Sequence, residues 1–136
     1  MAKLKNQFSD SSRTFERIQK CLIEHRAKHI AYEYNDDGRI IGLAFGLEIN
    51  GQVAKVKLPA RIENVERILN AYSASQKEQA YRTAWANIRD WIEAQLALVD
   101  TEMVKMEEVL LPYVVIGNET VFEKLDRNQF QLGAGK

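Results

Sequence analysis

The dipeptide Asn50-Gly51 stands between two segments in which apolar residues alternate with small or polar ones. Both residues accept positive φ, so an Asn-Gly pair in this setting strongly indicates a two-residue β-hairpin turn. Such a turn pairs apolar residues across the two strands: Leu47 with Ala54, Phe45 with Val56, and Leu43 with Leu58. The paired side chains share one face, as a half-buried antiparallel sheet requires.

A third alternating segment precedes this hairpin. Ile30, Tyr32 and Tyr34 recur at every second position, and the turn-forming residues NDDG (35–38) follow them. We expect these three side chains on the same face as the apolar residues of the hairpin. The pattern therefore predicts a three-stranded antiparallel meander with one apolar face.

The segment before the meander has helical spacing. Phe15, Ile18 and Leu22 recur at intervals of three and four, which predicts an amphipathic helix over about 12–28. The Ser- and Asp-rich stretch 9–12 offers N-cap side chains for this helix. We therefore expect a helix that covers part of the apolar sheet face.

The second half of the chain is mainly helical. A short helix follows Pro59, and a long helix over about 76–98 opens on the capping-box pattern Ser75-Gln-Lys-Glu78. Residues 113–116 predict a short fourth strand, and Thr120 with Glu123 forms a second capping box before a last short helix. The fold class is therefore α+β: a meander with a short fourth strand, packed by an N-terminal helix and a long helix from the C-terminal half.

The length of 136 residues suits one domain spanning 1–136, with 1–8 and 131–136 expected to be flexible. The single cysteine excludes an internal disulfide framework and fits a reducing compartment. No apolar run approaches the roughly 20 residues that span a bilayer, and no secretory signal begins the chain. We expect a cytoplasmic protein that does not contact a membrane.

The face of the meander opposite the apolar one has a strip of small residues in its central strand. Glycine inside a strand often marks a close approach of another group to the backbone. Two lysines and a glutamate on the neighbouring strands border the strip, so the candidate surface comprises Gly42, Ala44, Gly46, Lys55, Lys57 and Glu33. Three interpretations are open: cover by a helix of the same chain, contact in a homodimer, or binding of a ligand or nucleic-acid backbone.

Basic residues are concentrated near the N-terminus, although 19 Lys and Arg residues balance 19 Asp and Glu residues overall. The balanced total argues against a generic polyanion binder. The first helix nevertheless offers a possible basic contact for nucleic acid, made by Arg13, Arg17, Lys20, Arg26 and Lys28. The alternative is an ordinary solvated helix face.

Three potential metal ligands follow one another at intervals of four residues: Cys21, His25 and His29. A thiolate and two imidazoles are credible zinc ligands, and a cysteine beside a histidine is one form of an activated nucleophile. A straight helix places the first and last of them about 12 Å apart, too far for one ion. We therefore expect no metal site, with Cys21 and His25 as the weak candidates.

The sequence contains no phosphate-binding loop of the G-x-x-x-x-G-K-[ST] type and no G-x-G-x-x-G pattern. The acidic residues lack the clustering of a two-metal nuclease, and Asp36 and Asp37 are explained by the turn that contains them. We expect no enzymatic activity, no catalytic residues and no cofactor.

Two stretches, 32–69 (YEYNDDGRIIGLAFGLEINGQVAKVKLPARIENVERIL) and 80–115 (AYRTAWANIRDWIEAQLALVDTEMVKMEEVLLPYVV), carry a resemblance. They resemble small proteins of phages, prophages and other mobile elements, most sharply in the LPAR turn at 58–61 and in the helix that follows Ala84. The resemblance implies a genomic setting among recombination, replication or anti-defence genes. It implies no catalytic residues.

These observations lead to one expected function and two alternatives. The first is an accessory protein of phage or mobile-element origin that binds a host or phage protein complex stoichiometrically and antagonises or modulates a host nucleic-acid or defence system, in the manner of an anti-CRISPR protein. The second is a DNA replication or recombination accessory that binds DNA through the first helix and the two strand lysines. The third is a small-ligand or metal-binding protein.

Overall fold

A computed structural model describes the backbone of residues 2–128 and the side chains of residues 12–128. It has the predicted α+β class. The elements in chain order are α1 (Ala2–Glu24), β1 (Lys28–Tyr34), β2 (Ile40–Ile49), β3 (Gln52–Pro59), α2 (Ile62–Ile68), α3 (Ala74–Asp100), α4 (Met106–Leu110), a 3-10 helix (Leu111–Tyr113), β4 (Val115–Ile116), β5 (Glu119–Thr120) and α5 (Val121–Arg127). The flexible tail expected at 131–136 lies outside the described residues.

The first three strands form an antiparallel sheet in the order β1-β2-β3. The register of β2 and β3 is the one that the Asn50-Gly51 turn predicts, with Phe45 opposite Val56. Tyr32 lies opposite Leu43, on the apolar face as expected. Tyr34 lies at the end of β1, where the register shifts between residues 33 and 34; its side chain is exposed, but it lines a pocket with Phe15 and Tyr81, which pack on the apolar face.

The first helix is longer at its N-terminus and shorter at its C-terminus than predicted. It begins at Ala2, so residues 9–12 lie inside it and do not cap it, and residues 2–8 belong to its first turns. It ends at Glu24, four residues before the predicted boundary. The end is a Schellman motif: the Arg26 amide donates to the Ile23 carbonyl, and the Ala27 amide donates to the Leu22 carbonyl.

Arg26 occupies the left-handed position of this motif, with φ of 67°. Glycine usually fills that position because a side chain there is strained. The sequence therefore gives no ordinary stop signal at residue 26, and the predicted helix runs on to 28. Because the helix ends earlier, Lys28 and His29 belong to β1 and not to the helix.

The long helix α3 is capped two residues earlier than predicted. Ser73 accepts a hydrogen bond from the Gln76 amide, and the Gln76 side chain accepts hydrogen bonds from the Ser73 and Tyr72 amides. Glu78, which the sequence predicts as the second residue of the capping box, is buried and accepts hydrogen bonds from Arg39 instead. A capping-box pattern recurs within this stretch of sequence, and tertiary structure selects between its two copies.

The fourth strand is present, but it does not extend the meander. β4 pairs with β5 as a two-stranded hairpin, and a single bridge between Val56 and Val114 connects this region to β3. The second capping box is confirmed, because Thr120 accepts from the Glu123 amide and Glu123 accepts from the Thr120 amide. The short 113–116 segment follows a proline, which limits how far a strand can extend there.

The core lies between the apolar face of the sheet, which we call the inner face, and the helices α1 and α3. Trp85, only 1% exposed, occupies its centre and meets the ring of Phe15 edge to face at 4.9 Å. The Tyr81 hydroxyl and the Trp85 indole both donate to the Ile40 carbonyl, at 2.8 and 3.2 Å. This one carbonyl therefore fixes the start of β2 against the middle of α3.

An ion pair between a buried carboxylate and a half-buried guanidinium lies beside this anchor. The Arg39 guanidinium donates two hydrogen bonds to the Glu78 carboxylate, at 2.7 and 3.1 Å, and lies 3.8 Å from the centroid of the Tyr81 ring. Arg82 approaches the same carboxylate at 3.7 Å. The Glu78 side chain is 7% exposed, so water cannot replace these partners fully.

We expect Glu78→Gln to lower the free energy of unfolding by about 1.5–3 kcal/mol, because the amide cannot accept both charge-assisted bonds from Arg39. Glu93→Gln is the matched control on the same helix, since Glu93 pairs with Arg17 at an exposed site, and it should cost less than about 1 kcal/mol. Urea denaturation of the two variants measures the difference. Equal losses would show that Glu78 contributes no more than a surface ion pair.

Candidate binding surface on the outer sheet face

The face of the meander turned away from α1 and α3, which we call the outer face, is open to solvent. Lys55, Lys57 and Glu33 are all exposed, as are Ala31 and Val53. The helices α1 and α3 pack on the inner face, so the interpretation that a helix of the same chain covers the glycine strip does not hold for the part of the chain that is described. The two interpretations that place an outside partner on this strip stay open.

Side chains of the neighbouring strands make the close approach that the small residues indicate. A Cβ atom on Gly42 would stand 2.8 Å from the Glu33 Oε1 atom, and one on Gly46 would stand 3.0 Å from the Val53 Cγ1 atom. Neither glycine has the positive φ that only glycine adopts easily. The strip is therefore glycine-rich because Glu33 and Val53 lean across it, and the backbone needs no glycine there.

Three lysines border the strip. Lys28 and Lys55 lie opposite Gly46 on its two sides, and Lys57 lies opposite Ala44. At the ordinary strand spacing of about 4.8 Å, the Cα atoms of Lys28 and Lys55 are about 10 Å apart across the floor. Among the described residues, no carboxylate lies within 4.0 Å of any of these three ammonium groups.

Lys28 lies on β1 beside the strip and not on the first helix. The predicted helix over 12–28 would place it with Arg13, Arg17 and Lys20, and that prediction is wrong because α1 ends at Glu24. The adjacent His29 has φ of 55°, and its Cδ2 atom lies 3.8 Å from the Cβ position of Gly46. Both residues could have been placed on β1 if the end of the helix at Glu24 were recognisable, but no glycine or proline marks that end.

The other basic residues of the predicted helix contact do not join this surface. Arg13, Arg17 and Lys20 are exposed along α1, and Arg17 is bound to Glu93 of α3 at 2.6 Å. Arg26 is exposed in the turn after the helix. Because α1 packs on the inner face, its solvent side and the outer face look in opposite directions. One flat partner cannot contact both sets of cations.

His25 makes hydrogen bonds of a structural kind and is not paired with the Cys21 thiol. His25 Nδ1 lies 2.7 Å from the Cys21 carbonyl oxygen, and Nε2 lies 2.9 Å from the Asp100 Oδ1 atom. Both partners are acceptors, so the two bonds together require the doubly protonated imidazolium. Burial opposes the charged form, but the Cys21 carbonyl and the Asp100 carboxylate outweigh it and raise the pKa of His25.

The surroundings of Cys21 favour the neutral thiol. Burial raises its pKa, and the negative charges of Glu93, Glu24 and Asp100 raise it further. A nucleophilic or metal-ligating cysteine needs the opposite shift. Within the described residues, no group of three or more His, Cys, Asp and Glu side chains could hold a metal ion, and His29 lies on another element from Cys21.

Comparison with known proteins adds no relative: no family model, curated protein or solved structure matches the chain. Among the described residues, no helix has both the length and the apolar character needed to cross a bilayer. A binding role for the outer face is therefore supported by its structure alone, in which three exposed lysines border a narrow strip of small residues.

We expect Gly42→Ala and Gly46→Ala to differ in stability. The Glu33 carboxylate is the flexible end of a side chain and can move away from a new methyl group at 42, where the reduced freedom of the unfolded chain can add about 0.5 kcal/mol. At 46 the new methyl group meets the branched Val53 side chain and the Lys28 carbonyl, which we expect to cost about 1 kcal/mol. Thermal unfolding compares them, and equal stability would contradict the close contact at Gly46.

We expect Asp100 to stabilise the fold only while His25 is protonated. Because the folded pKa is raised, this contribution is complete below the unfolded value of about 6.5 and is lost as pH rises through the folded pKa. Its size should stay below about 1 kcal/mol, since Asp100 is 60% exposed. The difference between wild type and Asp100→Asn in urea, measured from about pH 5.5 to 8, should therefore shrink with pH.

The control for this pH dependence is Asp90→Asn, because Asp90 lies on the same helix and pairs with Arg89, which does not titrate in this range. Its difference from wild type should be constant with pH. The His25 ring resonances, followed by NMR, should titrate at a lower pH in Asp100→Asn than in wild type. An unchanged titration would contradict the role of Asp100.

Proposed function

We propose that this protein is a non-catalytic accessory protein of a phage or other mobile element, which binds a cytoplasmic host protein complex stoichiometrically and so antagonises a nucleic-acid or defence system. The observation that carries the binding part is the outer face, where three exposed lysines, Lys28, Lys55 and Lys57, border a strip of small residues. The mobile-element setting is supported by the resemblance of residues 32–69 and 80–115.

The shape and charge of the outer face favour a narrow, acidic partner surface. The Glu33 and Val53 side chains already lie over Gly42 and Gly46, so a partner would contact these two side chains and the methyl group of Ala44 rather than the bare backbone. The lysines stand on both sides of one end of this strip and can meet carboxylates of the partner. Such charge complementarity mainly increases the rate and the specificity of association.

A second candidate function is DNA binding, and it is favoured by the position of Lys28 beside the two strand lysines. A phosphate backbone would suit the same cationic border. The contribution expected from α1 is weaker, because its basic residues face the opposite side of the sheet and Arg17 is already bound to Glu93. DNA would therefore have to bind through Lys28, Lys55 and Lys57 without the helix.

We expect the double variant Lys55→Glu/Lys57→Glu to fold normally and to lose its partner, because both residues are exposed and lie on the outer face. The charge-matched control is Lys77→Glu/Lys124→Glu, whose lysines are exposed on α3 and α5. Native mass spectrometry of the protein purified from a host that carries the target system measures the complex and its stoichiometry. Wild type and control should show the same defined complex, and the outer-face variant should be monomeric.

Three outcomes would contradict this expectation. A complex that survives in the outer-face variant would place the interface elsewhere. A homodimer mass that disappears in the same variant would assign the outer face to self-association. A DNA mobility shift that weakens steeply with salt and is lost in the outer-face variant would favour the second candidate.

A further inference from the structure

A groove on the other side of the β3 strand has no part in the proposed function. It lies between the end of β3, the middle of α3 and the 3-10 helix, and its volume is about 310 Å³. Its floor is apolar and its rim is polar. The floor is formed by Leu58, Ile88, Trp91 and Tyr113, and the rim is formed by Arg61 and Asn87.

Two half-buried aromatic rings give the groove its shape. Trp91 and Tyr113 meet edge to face, with ring centroids 5.6 Å apart and planes inclined at 75°. Edge-to-face contact holds both rings in defined positions, so the apolar wall is formed before any ligand arrives. A volume of this size is at the lower end of the range of small-molecule sites.

The two indole N–H groups of the chain differ in their partners. Trp85 donates its own indole hydrogen to the Ile40 carbonyl, whereas Trp91 has no acceptor among the described residues. A half-buried indole usually finds an acceptor for this hydrogen. Trp91 therefore keeps a hydrogen-bond donor without a partner in the described part of the chain, on a ring that lines the groove.

The charge of the groove is positive. Arg61 is its one charged lining residue, and no carboxylate lines it within the described part of the chain. Arg61 precedes α2 with φ of 50°, and its guanidinium lies 5.6 Å from the centroid of the Phe122 ring. A guanidinium with several N–H donors suits a carboxylate, which can accept two of them side by side.

We propose that this groove binds a small organic carboxylate in which an aromatic or branched aliphatic group enters the floor and the carboxylate meets Arg61. The apolar group would pack against Trp91 and Tyr113, and the Trp91 indole and the Asn87 amide would supply the remaining polar contacts. Because the outer face plays no part in this binding, the two sites can be tested separately.

The two indole N–H groups of the chain give a direct test. The uniformly ¹⁵N-labelled protein is titrated with phenylacetate, 3-phenylpropionate and 4-methylpentanoate, and the Trp91 resonance is assigned with Trp91→Phe. We expect at least one acid to shift the Trp91 indole resonance saturably and to leave that of the buried Trp85 unchanged. We expect phenylacetamide, the neutral counterpart of phenylacetate, to bind about 10- to 100-fold more weakly than the acid.

The role of Arg61 is tested with Arg61→Gln, which should bind the acid and the amide equally. Arg67→Gln, an exposed arginine of α2 that does not line the groove, is the matched control and should retain the preference for the acid. The unperturbed parts of the spectrum show whether each variant is folded. Three results would overturn the proposal: no saturable shift with any acid, equal affinity of wild type for acid and amide, or a preference that survives in Arg61→Gln.

Discussion

The carbonyl of Ile40 determines how the two layers of this protein meet. It accepts hydrogen bonds from Tyr81 and Trp85, four residues apart and therefore on one face of α3. The neighbouring Arg39 binds Glu78 one turn earlier on the same helix. Polar groups that are buried need partners, so few other placements of α3 on the sheet would satisfy all four side chains. The helix is thus held to the inner face by directional contacts as well as by apolar packing.

One consequence of this placement is that the sheet is covered on one side only. α1 joins α3 on the inner face, and together they exclude water from Trp85 and the apolar side chains of β2 and β3. The outer face keeps its lysines in solvent, and the aromatic groove opens on a separate part of the surface, beside the 3-10 helix. A one-sided antiparallel sheet is stable in this form, because its outer face needs only small or polar side chains.

The sequence predicted the meander well and its surroundings less well. Period-two patterns and an Asn-Gly turn are local, and the register of Phe45 against Val56 follows from them. The end of α1 was missed because Arg26 takes a left-handed position that glycine normally marks, so Lys28 was assigned to the wrong surface. The ion pair of Arg39 and Glu78 joins residues 39 positions apart, and no local pattern reports it. Which face α3 covers depends on such distant pairs.

The irregularities of β1 have a further consequence for how copies of this protein behave in a crowded cell. Its pairing with β2 is interrupted between Lys28 and Ala31 and again between Glu33 and Tyr34, so only three consecutive residues form an even ladder. A free strand edge is a template for another chain, and a bulged, charged edge is a poor one. The protein can therefore leave a whole sheet face uncovered and still resist growing, strand by strand, into an aggregate.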